Sequence, residues 1–293
     1  MSKSTRREAP MVAVIGGSGL YAMEELKNVA KHRIRTPFGA PSGPVMVGLL
    51  DGVPVAFLAR HGSGHRMSPS AVNYRANIYA LKSLGVTRVL AVSAVGSLKE
   101  AIAPGHVVVP DQFIDLTKRR PSTFFEDGIV AHVAFGDPVC AGLADKLITS
   151  ARLSGATIHA GGTYVCIEGP HFSTKSESRL YRQWGADIIG MTNMPEAKLA
   201  REAELCYATL ALVTDYDCWH ATQEAVTVEA ILATLHRTVE LAKRVLRAAI
   251  PSVAAMEACV CQHALDHAIV TDRKKIPSAL RRKLALLTRR VWS

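Results

Sequence analysis

Residues 71–97 read AVNYRANIYALKSLGVTRVLAVSAVGS. Val72, Ile78, Leu81 and Leu84 recur at helical spacing, and Gly85 stands where a helix would end. From Thr87 the chain turns almost continuously apolar, then opens into the small residues Ser93, Ala94, Val95 and Gly96. A helix that feeds a strand apolar on both faces predicts an α/β fold, with a mostly parallel or mixed sheet covered by helices on both sides.

The same alternation continues in both directions. Upstream, MVAVIGGSG (11–19) is a short buried strand entering a Gly-rich turn, and VMVGLLDGVPVAFLARHG (45–62) is a hairpin about Asp51-Gly52. Downstream, HVVVPDQFID (106–115), TYVCIEG (163–169), ADIIGMT (186–192) and CYATLALVTDYD (206–217) read as strands. Helices are predicted over 137–153, 173–184, 196–204 and 228–249, the last closed by Pro251. The division is a basic arm over 1–10 and one α/β domain over 11–250. Residues 251–293 form a Cys-x-Cys segment and basic helical tail, packed on that domain or on a neighbouring subunit.

With 48% hydrophobic residues in 293, wholesale disorder is excluded. Six cysteines without a C-x-x-C are not a disulfide framework and point to a reducing compartment. Gly16-Gly17 cuts short the apolar stretch from Met11, so no secretory signal is read. The longest apolar run, 205–213, is about half of the ~20 residues a membrane helix needs. A soluble, cytoplasmic chain without a membrane partner is expected. The net charge of +10 belongs to the ends: residues 271–293 carry +7 and 1–10 carry +2, leaving +1 for the 260 residues between. A nucleic-acid module using this tail is the remote alternative; apart from Trp292 the tail lacks interleaved aromatics.

Ligands of open α/β sheets bind beyond the carboxyl ends of the strands, so the residues there carry the functional argument. Gly16-Gly17-Ser18-Gly19 can converge N–H groups and a hydroxyl on an anion, or be a plain tight turn. A dinucleotide reading fails because residues 26–50 contain no Asp or Glu to hold a ribose diol. Arg60-His61 offers a planar fork of donors suited to phosphate, and Ser93 stands in a third such turn. Asp215 and Asp217 can face one side and repel, so that one keeps its proton and donates to a ring nitrogen; a helix N-cap is the structural alternative. No metal is expected. The pairs His61/His65 and His263/His267 lack a metal motif, and Cys259-x-Cys261 reads as free thiols in a turn, or a strained local disulfide, before zinc.

The ordered motifs VIGGSGLY, ARHGSGHRMSPSAVNYRANIYALK, SAVGSL, PGHVVVPDQFID, IEGPHFSTKSES, WGADIIGMTNMPEAKLAREAELCYA and TDYDCW resemble the trimeric purine nucleoside phosphorylase superfamily over residues 11–250. The resemblance implies cofactor-free phosphorolysis, with inorganic phosphate as co-substrate and adenine leaving from 5′-methylthioadenosine. It implies phosphate at Ser18, Arg60, His61, Ser93, Ala94 and Thr192, ribose at Met191, and base at Phe172, Asp215 and Asp217. Val228, Ile231 and Leu232 would take the methylthio group, with Ser173 and Val228 setting specificity. His132 would reach a neighbouring subunit's 5′ pocket in a homotrimer or homohexamer. Superfamily members that act on inosine and guanosine carry Glu and Asn at the base. A 6-oxopurine nucleoside phosphorylase is therefore the alternative, and Asp215 speaks against it.

Overall fold

In the computed structural model, the described residues are 11–21, 25–220 and 228–292; the side chains at 18, 21, 228–233 and 235–236 lie outside the description. The strands are β1 (Met11–Gly16), β2 (Leu26–His32), β3 (Val45–Leu50), β4 (Val53–Ala59), β5 (Val86–Ser97), β6 (Val107–Val109), β7 (Gln112–Asp115), β8 (Ile158–Ala160), β9 (Thr163–Cys166), β10 (Ile188–Gly190) and β11 (Cys206–Asp215). The helices are α1 (Tyr74–Ser83), α2 (Ala141–Leu153), α3 (Lys175–Gln183), α4 (Asn193–Glu202), α5 (Val228–Ala254) and α6 (Ser278–Trp292). The predicted α/β class holds: eleven strands form one mixed sheet, ordered β2-β3-β4-β1-β5-β10-β9-β7, with β11, β6 and β8 branching from β5.

Why these segments form these elements follows from local chemistry. Asn73 caps α1, its side chain accepting from the Ala76 N–H at 3.1 Å. Thr174 and Glu177 form a reciprocal capping box at the start of α3. The central strands β1, β5 and β11 are buried on both faces, as their unbroken apolar runs require. One core packs α1, α4 and α6 on one face of the sheet. A second packs α2 and α5 on the other.

Four expectations need correction. The run 106–115 is two strands, because Pro110 has no N–H to continue the ladder. Pro251 does not close α5, which runs to Ala254 with the proline in its last turn. β2 was not foreseen: all its residues but Leu26 are exposed, so it lacks the apolar alternation that marks a strand. β8, three residues long, was also missed. Of the two packings expected for the basic tail, the first is seen: Leu280, Leu284 and Leu287 of α6 enter the same core as α1 and α4. No helix among the described residues is long and apolar enough to cross a membrane.

Candidate active site

Strand β5 positions the site. Its edge toward β1 is paired up to Ile15↔Ala91, and the same edge is taken up again by β10 at Ile189↔Gly96. Between them Val92, Ser93, Ala94 and Val95 have no strand partner on that side. The carboxyl ends of β1 and β10 approach the gap from opposite directions, because β1 is parallel and β10 antiparallel to β5. Successive strand residues send their N–H and C=O groups to alternate edges. The Val92 carbonyl faces the gap, and so does the Ala94 N–H. Ala94 is exposed there, which leaves room for a ligand against the backbone.

Arg60, at the end of β4, fills one wall. It is buried, and four of its five N–H groups are engaged. Nε and Nη2 donate to the two carboxylate oxygens of Glu196, each at 2.8 Å. Nη1 donates to the Val92 carbonyl at 2.9 Å, and Nη2 also approaches the Ile15 carbonyl at 3.4 Å. Tyr207 Oη donates to Glu196 at 2.9 Å. The fork that sequence reasoning assigned to phosphate is thus occupied by a carboxylate, and one Nη1–H remains.

His61 Nδ1 lies 2.8 Å from the Met67 carbonyl. Burial, and then the Arg60 charge, push its pKa down to about 4, so the ring is neutral near pH 7. A neutral ring against a carbonyl carries its proton on Nδ1, and Nε2 keeps a lone pair. The His61 and His65 rings stack at 4.1 Å. Across the gap, Thr192 caps α4 without spending its hydroxyl on the helix. Ser93 Oγ is 3.2 Å from Asn193 Oδ1. Arg120 fixes the turn above: it donates to the carbonyls of Met191, Met194 and Glu168, each at 2.6 Å.

Asp215 ends β11 beside Gly96. A Cβ on Gly96 would lie 2.9 Å from Asp215 Oδ1 and 3.4 Å from Asp217 Cβ, so glycine is what lets both carboxyl groups approach the strand. Asp215 accepts from Thr214 Oγ1 at 2.7 Å and from the Asp217 N–H at 2.8 Å. Burial outweighs these bonds and raises its pKa above the usual carboxylate range. Asp217 is buried at a positive φ of 48°, and burial together with the neighbouring Asp215 charge raises its pKa too. Cys218 Sγ meets the Ser173 carbonyl at 3.2 Å, which brings the segment of Phe172 and Ser173 to the same end. Phe172 is 49% exposed, a large apolar face turned outward.

Of the expected residues, Arg60, His61, Ser93, Ala94, Met191, Thr192, Asp215 and Asp217 gather at this end of the sheet, with Phe172 and Ser173 beside them. The side chains of Ser18, Val228, Ile231 and Leu232 lie outside the described part. His132 stands apart: it is exposed, its N–H donates to the Ala268 carbonyl at 2.8 Å, and it lines a recess of about 350 Å³ with Arg201 and Asp266. Sequence reasoning missed Glu196, Tyr207 and Arg120. The motif containing Glu196 was visible, but a carboxylate at helical spacing gives no sign of its partner.

A sheet with this polar, anion-suited gap and an adjoining pair of carboxyl groups defines the class of protein, and the chain belongs to the phosphorylase superfamily, whose family model matches residues 11–251. It is 55% identical over 278 residues to the S-methyl-5′-thioadenosine phosphorylase of Geobacter sulfurreducens, covering 94% of this chain and 97% of that one. It is 51% identical to the enzyme of the same name from Thermofilum pendens, over 90% of this chain and 100% of that one. Among solved structures it resembles a methylthioadenosine phosphorylase from an antarctic soil metagenomic library: TM-score 0.92, 51% identity, covering 96% and 99% of the two chains. It also resembles the Schistosoma mansoni methylthioadenosine phosphorylase in complex with adenine: TM-score 0.84, 37% identity, covering 90% and 99%.

Proposed function

We propose that this protein cleaves 5′-methylthioadenosine with inorganic phosphate, giving adenine and 5-methylthioribose 1-phosphate. The observation that carries the reading is a buried acid of raised pKa, Asp215, at the edge of a gap whose remaining groups suit an anion. Cleaving the glycosidic bond develops positive charge on the sugar and negative charge on the purine. Phosphate beneath the ring stabilises the first, and a proton or hydrogen bond at N7 stabilises the second.

Phosphate sits in the β5 gap. The Ala94 N–H, the last Nη1–H of Arg60 and the hydroxyls of Ser18 and Thr192 donate to it, and the Ser93 hydroxyl turns to it from Asn193 Oδ1. His61 Nε2 accepts, so it takes the O–H of a protonated phosphate oxygen. Glu196 neutralises Arg60, which keeps the anion from being held too tightly to attack. Met191 holds the ribose, and Phe172 covers the base. Asp215, protonated, donates to N7, while Asp217 accepts from the 6-amino group. Val228, Ile231 and Leu232 surround the methylthio group; Val228 excludes substrates that need a 5′-hydroxyl partner, and Ser173, where the 6-oxopurine enzymes carry Glu, disfavours a 6-oxo base. His132 completes a neighbouring subunit's site in a homotrimer or homohexamer. The scheme needs no cofactor and no metal at the reacting atoms, and its place is methionine and purine salvage in the cytoplasm.

The test is adenine release from 5′-methylthioadenosine with and without phosphate, beside methylthioinosine, adenosine and inosine. Phosphate-dependent release, fastest from methylthioadenosine, is expected. Faster release from the 6-oxo nucleosides would overturn the base assignment, and phosphate-independent release would overturn the mechanism.

A further inference from the structure

The other end of the sheet holds a cluster that the reaction does not use. Cys140 immediately precedes α2, and its N–H donates to the Tyr207 carbonyl at 2.9 Å. Cys206 opens β11, while Cys259 and Cys261 flank the turn that follows α5. The four sulfur atoms all lie within 4.8 Å of one another, and three of the four cysteines are buried. Cys259 Sγ is 3.1 Å from Cys206 Sγ and 3.8 Å from Cys140 Sγ. His263 and His267, which follow the Cys-x-Cys pair in sequence, are not part of this cluster, and His263 instead meets Asp266 at 3.2 Å.

We propose that Cys140, Cys206, Cys259 and Cys261 form a tetrahedral tetrathiolate site for one structural zinc ion. Zinc–thiolate bonds of about 2.3 Å place tetrahedral sulfurs about 3.8 Å apart, whereas a disulfide needs about 2.0 Å. The 3.8 Å separation equals the edge of such a tetrahedron, the 3.1 Å one is shorter than it, and neither is a bond. Four protein sulfurs leave no position for water or substrate, so the ion holds structure rather than performing chemistry.

Arg88 supplies an independent observation. It is buried on β5 directly beside Cys206, and parallel register turns both side chains to the same face. Its Nη2 donates to the carbonyls of Met256 and Glu257, at the root of the loop that carries Cys259. Its Nε is buried with no partner, and among the described residues no carboxylate pairs with it. A buried cation without a counter-charge is costly. A zinc ion on four thiolates carries two net negative charges and provides one.

Loading is balanced without any redox step. Four thiols lose four protons as four zinc–sulfur bonds form, and nothing is oxidised or reduced. A bound dication favours the ionised form of all four thiols. The site would tie the chain after α5 to the start of β11, the strand that ends at Asp215.

The test is the metal content of the full-length protein purified under reducing conditions without chelators or metal-affinity resin. About one zinc per chain is expected, released in step with about four thiols on titration with an organomercurial. Protein refolded with cobalt should show the thiolate-to-metal charge-transfer band of a tetrahedral sulfur site. The double variant C259S/C261S should retain less than about a tenth of the zinc and melt at lower temperature. Wild-type protein that is metal-free with freely reacting thiols would overturn the proposal. So would an intact mass short of two hydrogens for each disulfide formed among these cysteines. Both of these readouts use unmodified protein, so a variant that fails to fold leaves the answer intact.

Discussion

Strand β11 begins at Cys206 and ends at Asp215, and its two ends differ in how completely their polar groups are matched. At the first end, thiols face thiols, and Arg88 is held by main-chain carbonyls. At the second, Arg60 keeps one N–H, His61 keeps a lone pair, and Thr192 keeps a hydroxyl. The closed coordination proposed for the amino end, where Arg88 Nε is the one polar atom left without a hydrogen bond among those named, serves the fold. Spare capacity at the carboxyl end serves a ligand, in keeping with where open α/β sheets bind their ligands. Substitutions at the two ends should therefore fail differently, one set in stability and the other in turnover.

The largest expected effect is at the open end. Asp215→Asn should lower kcat on 5′-methylthioadenosine by ~10²–10⁴-fold, the range of a lost general acid, while the melting temperature stays near that of the wild type. The same variant should improve hypoxanthine release relative to adenine release, since the amide offers two N–H donors that can meet N7 and a 6-oxo group together. A loss of folding in place of turnover would break the contrast between the two ends.

Glu196→Ala tests the one place at the open end where stability and chemistry meet. It strands Arg60, which is 2% exposed, without its carboxylate, and should cost about 3–5 kcal/mol in denaturant unfolding. Thr192→Ala should act more gently. It removes one donor to a charged ligand, worth ~1.5–3 kcal/mol, and should raise KM for phosphate about ten- to a hundredfold with little change in stability.

The smallest effects are in pH dependence, and they have opposite signs. Burial raises the Asp215 pKa in the folded chain, so the native state holds a proton that the unfolded state has released. Stability falls, and kcat/KM falls with it, as pH rises through that raised value. His61 is lowered from 6.5 to about 4, so the unfolded chain takes up a proton first, and stability is lost as pH drops through that interval. The alkaline limb of kcat/KM should vanish in Asp215→Asn, and the acidic loss of stability should shrink in His61→Asn.

Much of the fold was legible because burial leaves a simple trace. The runs of β1, β5 and β11 are apolar on both faces, and the spacing around Ile78 and Leu81 allows only a helix. β2 left no such trace, since an exposed edge strand gains its place from the Leu26↔Leu50 end of the ladder and not from its own composition. The site divides in the same way. Arg60, His61, Ser93 and Asp215 stand at strand ends and could be found there. The commitment of Arg60 to Glu196 could not, because it depends on how β4 comes to rest against β1 and α4 against β5 and β11. The four sulfurs were invisible for the same reason: Cys140 and Cys206 have no spacing that links them to the Cys-x-Cys pair.

Arg60 and Glu196 are separated by 136 residues along the chain. Their contact exists only when β4 is paired with β1 and α4 is packed against β5 and β11, so the anion gap belongs to the assembled sheet. A partly folded chain has no such gap. An anion held there binds the native state alone and favours it by RT ln(1 + [L]/Kd). With phosphate as that anion, as proposed, protein kept in phosphate should resist a protease longer than protein without it.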